Sequence, residues 1–472
     1  MIDFIKKTVV FILLLIANFC IGQSKTDSLQ YLNFQDYLKW VAERHPLAIQ
    51  AALIQQSANA GILAARGNFD PKLFYEFNNK RFDDKNYFSI NSAGVKIPTW
   101  FGIETKVGYD NNSGLFLNNE NKTPNNGLVY AQISVPLLQG FLTDDRRTVL
   151  KQAELFKQST ASEINIKLNE LYFQASKAYL EWMLASLNLK TIKDAYDISS
   201  QRLNAVKRNA ILGDRPLIDT VEALIQQQDR FMNLKQAELD LQNKKLYASS
   251  FLWMENNTPV ILNNNINPNL PDSSVTKVIF PNIPNNLDEI STSIDKHPFI
   301  QNYEYKIKQL NAEKRLKKEK LKPSLNLLYN PLVDPSNNNA SFFNNYKWGI
   351  AFNFPVLIRK ERGELRQTTI KLLTADLELQ NKKNELLVKA RISIQENKNI
   401  KDQLEIYKKN VTNYEKLWIA EKISFENGES SLFMINSREM SYMNAKLKLN
   451  ELDIKFQKSL LEVNYTLGQI QF

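Results

Sequence analysis

Residues 143–212 run for about 70 positions without a glycine or a proline. As a helix that stretch would be roughly 105 Å long at 1.5 Å of rise per residue. Helices of globular domains usually stop after three to four turns, so this one has outgrown any single compact core. It breaks at Gly213-Asp214-Arg215-Pro216, and a second unbroken stretch covers 217–258. Glycine just past one helix and proline at the start of the next punctuate a helical hairpin. The pattern then recurs. Residues 364–427 form another glycine-free and proline-free run, roughly 96 Å if helical, which breaks at Asn427-Gly428-Glu429 before a return helix over 430–467.

The segments between the hairpins have a different texture. Residues 32–67 read as amphipathic helix interrupted at His45-Pro46, and Asp70-Pro71 closes it. Short aromatic and β-prone runs follow at 72–79, 87–97, 102–109 and 128–135, separated by turn residues and by an Asn/Gly-rich loop over 110–127. Four strands exceed what one hairpin needs, so the middle pair, 87–109, reads as a hairpin extension. Residues 259–286 are dense in Asn and Pro and read as an irregular link with one short strand at 275–280. A second series then opens: helix over 287–321, strand over 324–329, polar loop over 330–345 and strand over 346–354.

The two series are one plan repeated. His45-Pro46 and His297-Pro298 are separated by the same interval as Pro71 and Pro323, so both histidines of the chain hold one repeat position. The interval is shorter between Val135-Pro136 and Phe354-Pro355 and nearly the same again between Gly213 and Gly428. The shortening falls among the strands and fits a longer hairpin in the first half. Matching landmarks in one order predict an internal duplication: a first repeat at 23–258 (strands about 70–135, helical hairpin 143–258), a link at 259–286, and a second repeat at 287–472 (strands about 324–354, helical hairpin 356–467).

Residues 1–22 read as a signal peptide: Lys6 and Lys7, an apolar run over 8–21, and small Gly22 at the cleavage point. Bulky Phe19 before Cys20 argues against lipidation there, and removal of the leader leaves a mature chain without cysteine. No later segment approaches 18 consecutive apolar residues. A chain that resides in a membrane without a helical span must use a barrel. The last strand fits one. Tyr346, Trp348, Ile350, Phe352 and Phe354 alternate with Lys347, Gly349, Ala351 and Asn353, as in a strand with a lipid face and a lumen face, with Tyr346 and Trp348 as membrane-interface aromatics. About four principal strands per chain cannot close alone, so the barrel must be shared between subunits.

This combination resembles the TolC-like outer-membrane efflux factor family over nearly all of the mature chain. The likeness rests on the duplicated plan and on Val135-Pro136-Leu137-Leu138 and Phe354-Pro355-Val356-Leu357 leading into the long helices, followed by Arg146, Arg147, Arg362 and Arg366. It rests also on the turns Gly213-Asp214-Arg215-Pro216-Leu217-Ile218-Asp219 and Gly428-Glu429-Ser430-Ser431-Leu432-Phe433-Met434. The resemblance implies a mainly α fold with a β-barrel part: a homotrimer with a twelve-stranded shared transmembrane barrel in outer-membrane lipid, and a periplasmic α-helical barrel. It implies an equatorial belt made by the link and the chain ends. The function implied is a passive exit duct of a tripartite efflux or type I secretion system, to which a periplasmic adaptor (membrane fusion) protein and an inner-membrane pump dock. Gly213, Asp214, Arg215, Asp219, Gly428, Glu429 and Ser431 are then candidates for adaptor docking. Relatives hold the periplasmic end shut with polar and ionic contacts near the second tip. Here that position is Met434, so an apolar constriction at Leu432, Phe433 and Met434 is the expected gate.

Other classes have less in their favour. The net charge of +10 is lysine spread along helices, without the basic clusters and interleaved aromatics of a nucleic-acid binder. The run Arg315-Leu316-Lys317-Lys318-Glu319-Lys320 suits a helix C-terminus. Two histidines and one cysteine give no metal constellation and no nucleophile pair, and no Gly-rich phosphate loop is present. The expectation is therefore no catalysis and no cofactor, with His45 and His297 in local structural roles. A secreted or periplasmic coiled-coil scaffold without transport activity is the alternative, and the cargo is not written in the chain.

Overall fold

The computed structural model describes residues 30–263, 265–269, 283–284, 286–336 and 344–470. The leader over 1–22 with Cys20, and the strand expected at 275–280, lie outside the described residues.

In chain order the elements are β1 (Gln30–Leu32), α1 (Phe34–Arg44), α2 (Pro46–Arg66), β2 (Lys72–Phe82), β3 (Lys85–Pro98), β4 (Glu104–Ser113), β5 (Leu128–Pro136), α3 (Asp145–Ile211) and α4 (Leu217–Ser249). The second series is β6 (Ile266–Pro268), α5 (Leu287–Asp295), α6 (Pro298–Glu319), β7 (Ser324–Val333), β8 (Tyr346–Asn353), α7 (Arg359–Glu426) and α8 (Leu432–Thr466). The two long helices have 67 and 68 residues, about 100 Å each.

Local chemistry sets the ends of these helices. Asp144 caps α3 by accepting from the Arg147 N–H at 2.8 Å, and Ser431 caps α8 by accepting from Met434 at 3.3 Å. Gly213 and Gly428 sit just past α3 and α7 at φ +85° and +81°, the left-handed position that ends a helix most easily with glycine. The two histidines do matched work. Each precedes a proline, which disfavours helix at the histidine itself. Each Nδ1 then accepts the N–H two residues on, from Leu47 and from Phe299, both at 3.1 Å.

Three boundaries differ from the sequence reading. The span 287–321 is two helices, broken at His297 as the first copy is at His45. Helix α4 stops at Ser249 rather than near 258. No glycine or proline marks that stop. The chain turns there so that Leu252 and Leu262 enter the core, and Ser249 Oγ accepts from the Leu262 N–H at 3.2 Å. Helix α7 begins at Arg359 and runs through Gly363, an exposed position where the missing side chain costs no packing.

The longer helices lie side by side in a slab, with the short α1 and α5 packed against it. Helices α2 and α4 both lie along α3, α6 and α8 both lie along α7, and α3 also packs against α6 and α8. The lateral order is thus α2/α4, α3, α6/α8, α7. Glu181 on α3 ties three tracks together, taking Lys244 of α4 at 2.8 Å and Lys458 of α8 at 3.1 Å. Near the sheet, Lys320 reaches Asp145 at 2.6 Å and Lys317 reaches Glu364 at 2.8 Å, so the basic run at the end of α6 is paired across both long helices.

The main core forms midway along α3. Phe34, Tyr37, Leu38 and Val41 of α1 pack on Tyr179 and Trp182 of α3, with Ala248, Leu252, Leu262 and the near-C-terminal Ile470. The Tyr37 hydroxyl donates to the Ala248 carbonyl at 2.9 Å, and the Tyr179 hydroxyl to the Leu32 carbonyl at 2.7 Å. Strand β1 pairs in parallel with β6 beside it. Ile290, Ile294, Ile300, Leu386, Ala390, Val463 and Leu467 form the second-half counterpart.

Among the described residues, the six remaining strands join one antiparallel sheet, in the order β2-β3-β4-β5-β7-β8. The reading of about four principal strands with 87–109 as an appended hairpin is therefore corrected: β3 pairs with β2 between 85 and 96 and with β4 over 89–98, and β4 pairs with β5 over 104–110.

One pH effect follows. Burial, and then the nearby Lys382, pull the His297 pKa down from 6.5 to about 4. The folded state thus favours the neutral ring, and protonation would also remove the Nδ1 acceptor. The stability this gives is full above pH 6.5 and is lost as pH falls through 4, a difference of about 3 kcal/mol. Thermal unfolding of wild type and His297→Asn, which keeps a cap acceptor but cannot titrate, should diverge below pH 6.5, with the wild type falling more steeply.

Candidate functional sites at the sheet faces and the hairpin tips

Pleating sends alternate residues to opposite faces, and the register carries each face across the whole sheet. One face collects Leu73, Tyr75 and Phe77 of β2, Val95 and Ile97 of β3, Val107 and Tyr109 of β4, Val129 and Ile133 of β5, Leu325 and Leu327 of β7, and Trp348, Ile350 and Phe352 of β8. Most of these are exposed, and Tyr346 joins Trp348 on this face, at 54% and 62% exposed. The other face carries Glu76, Asn78, Ser92, Lys96, Glu104, Lys106, Asp110, Gln132, Asn326, Asn330, Lys347 and Asn353.

The polar face is also the crowded one. The Phe74 ring of β2 lies over Gly94 of β3, where an added methyl would come within 2.7 Å of it. Tyr130 of β5 lies over Gly108 of β4 at the same distance. Lys106 Nζ stands between the rings, 4.1 Å from the first and 5.5 Å from the second. Glycines on the inner pair accept rings from the outer pair, which binds β3 and β4 into the sheet. At the lower rim, Arg146 of α3 and Lys96 both pair with Glu104, and Arg147 donates to the Phe141 carbonyl, fastening sheet to helix.

At the far end of the slab the two hairpin tips meet. Leu203, Val206, Ala223, Leu432 and Ile435 form a small core with Phe425 against it. Asp214, Gly213, Gly428, Glu429 and Ser431 are exposed, whereas Arg215 and Asp219 are partly buried. Arg215 does not point away from the tip. It pairs with Asp219 at 3.6 Å, sits 4.0 Å over the Phe425 ring and donates to the Phe425 carbonyl at 3.3 Å, joining the first tip to the second. The three residues expected to form a constriction are split. Leu432 is inside the tip core, while Phe433 is 69% exposed and Met434 is exposed beside it.

Sequence reasoning missed a polar cluster just above the tips. Arg202 of α3 is ion-paired with Glu439 of α8 and donates to Asn436 Oδ1 at 2.7 Å; Asn436 in turn donates to Glu222 of α4 at 3.4 Å. The Arg202 and Glu439 side chains are only 10% and 3% exposed. Arg230 of α4 is buried next to them against Met443 Sδ. Charged residues on the buried face of α8 were the available hint, but the partner lies in the other repeat. Among the described residues no group of three or more His, Cys, Asp or Glu side chains is placed to hold a metal ion, and no helix is long and apolar enough to cross a membrane.

No family model matches the sequence, and no curated protein matches it. Solved structures do match in fold. The Campylobacter jejuni CmeC outer membrane channel is 13% identical, with a TM-score of 0.64 over 93% of this chain and 86% of that one. The open state of the Neisseria gonorrhoeae MtrE outer membrane channel gives 13%, 0.65, 93% and 89%. The Vibrio cholerae outer membrane protein VceC gives 11%, 0.63, 92% and 95%. Over almost its whole described length the chain therefore has the fold of these proteins.

Removing one member of a buried ion pair leaves the other uncompensated, at a cost of about 3 kcal/mol or more. Glu439→Ala should accelerate amide hydrogen exchange in the last turns of α3 and the first turns of α8, with the sheet and the main core unchanged. Arg202→Met combined with Glu439→Met should recover much of that protection.

Proposed function

We propose that this chain is an outer-membrane channel whose homotrimer is the passive exit duct of a tripartite efflux or type I secretion system. The observation that carries the reading is the two-faced sheet set on helices about 100 Å long: apolar side chains on one face, polar side chains on the other, and a helical tract long enough to cross the periplasm. Water cannot satisfy backbone groups within lipid, and a closed barrel is the sheet structure that can span it. The fold shared with outer-membrane channels supports the same assignment.

In this reading the first and second repeats, joined by the link, build one third of a continuous tube. A periplasmic adaptor and an inner-membrane pump engage the tips, where Gly213, Asp214, Gly428, Glu429 and Ser431 are available and the exposed Ile211, Leu212, Leu217 and Ile218 add an apolar surface. Arg215 and Asp219 stabilise the tip rather than touch the adaptor. The duct's own work is to open the periplasmic end, a rearrangement between two packed states. Two layers hold it closed: the exposed Phe433 and Met434 facing neighbouring copies, and the buried Arg202–Glu439 pair within each copy. The pump supplies energy and chooses cargo.

Detergent-extracted protein should have the mass of a trimer and appear as a long hollow cylinder in negative stain. A water-soluble monomer or dimer would instead favour the coiled-coil scaffold. In cells, Phe433→Ala should raise dye and drug leak several-fold, and unchanged permeability would remove Phe433 from the gate.

A further inference from the structure

We infer that the barrel has eighteen strands, six from each copy, closed by pairing β8 of one copy with β2 of the next. This rests on the trimeric duct reading and departs from the twelve strands that the resemblance implies.

Four observations carry it. First, β3 and β4 are integral to the sheet. They pair with each other over 89–98 and 104–113, and with the flanking strands up to Lys96 of β3 and Asp110 of β4, and Gly94 and Gly108 house Phe74 and Tyr130 from those strands. A hairpin lying outside the barrel would have no reason to continue both faces, yet Val95, Ile97, Val107 and Tyr109 extend the apolar face and Ser92, Lys96, Lys106 and Asp110 extend the polar one. Second, the two edges suit each other. Strand β2 leads away from the helices and β8 leads back to them, so side by side they are antiparallel. Both edges carry the apolar row, with Leu73, Tyr75 and Phe77 on one and Trp348, Ile350 and Phe352 on the other.

Third, an open edge is untenable in lipid. Its unpaired N–H and C=O groups must find a partner, and another strand is the partner that leaves no orphan. Fourth, the helical slab ends where the sheet ends. Strand β2 follows α2 on the α2/α4 side, and β8 precedes α7 on the other. Those outer tracks carry exposed apolar residues, Val221, Leu224 and Ile225 on α4 and Ile406, Leu417 and Ile423 on α7. One rotation of the chain about a common axis covers both pairs of edges with a second copy.

At about 4.8 Å between strands and a tilt near 40°, eighteen strands give a backbone diameter of about 36 Å, against about 24 Å for twelve. Barrels of 16 to 18 strands leave an aqueous channel after their lumen side chains are placed. The outer end of this duct is therefore wide, and the narrow point lies at the periplasmic tips.

The test uses the full chain with Cys20→Ser, in outer membranes, treated with a short thiol cross-linker. Paired variants at Trp348 or Ile350 with Leu73, Tyr75 or Phe77, each changed to Cys, should give bands at two and three times the chain mass. Within the isolated trimer, Tyr75→Cys with Ala93→Cys and Tyr109→Cys with Val129→Cys should cross-link, and Tyr75→Cys with Val129→Cys should not. If β2 cross-links to β5 instead, β3 and β4 have left the sheet, the barrel has twelve strands and the proposal fails while the duct stands. If no inter-chain bands form and the extracted protein is monomeric, both readings fall.

Discussion

Long helices laid side by side in a slab cannot bury all of their apolar residues. At any one level along the axis a helix has two lateral neighbours at most, and the outermost have one. That limit governs most of what this chain does. It explains why α3 and α7 can exceed the length of any globular core, because their packing is lateral and repeats along the axis. It explains why buried residues concentrate in three islands: the main core around Tyr179 and Trp182, its counterpart around Ile294 and Leu386, and the tip core around Val206 and Ile435. Between the islands the helices are held by ion pairs and small residues, and apolar side chains on α4 and α7 stay exposed. The sheet repeats the same problem in β form, with two open edges and one greasy face.

The duplication makes the two halves comparable, and the comparison separates constraint from freedom. His45 and His297 cap equivalent helices with equal Nδ1 distances. The turns at Gly213 and Gly428 share their left-handed geometry. These positions are set by backbone chemistry that either copy must satisfy. The large sheet diverges instead: among the described residues it takes four strands from the first half and two from the second. An extra hairpin adds its own paired backbone and needs only faces that match its neighbours, so the sheet can absorb it where the helical frame could not.

Much of this was legible in the sequence, for physical reasons. Long runs free of glycine and proline gave α3, α4, α7 and α8, and Gly213 and Gly428 marked the turns because left-handed backbone asks for that residue. Alternation in Tyr346–Phe354 gave the strand and its apolar face. The failures were of another kind. The end of α4 carries no breaker and is set by burial of Leu252 and Leu262. Gly363 looks like a boundary but costs little at an exposed position. The full membership of β3 and β4 depended on Phe74 and Tyr130 finding Gly94 and Gly108 across strands. The Arg202–Glu439 pair joins residues from opposite repeats, and no periodicity within one helix announces a partner on another.

The length of α3 has a mechanical consequence. Tyr179 is held in the main core, while the tip at Ile211 lies about 48 Å further along the helix at 1.5 Å per residue. With the core as fulcrum, a tilt of about 5° moves that tip by about 4 Å, more than the full reach of a hydrogen bond. Contacts near the fulcrum barely feel such a tilt, so side chains there can stay packed throughout. A bond at the end of a lever resists rotation with the greatest torque for its strength, and it is also the first to break. A single charged pair above the tip can thus restrain a rigid helix many turns long and still release it within a few degrees of motion.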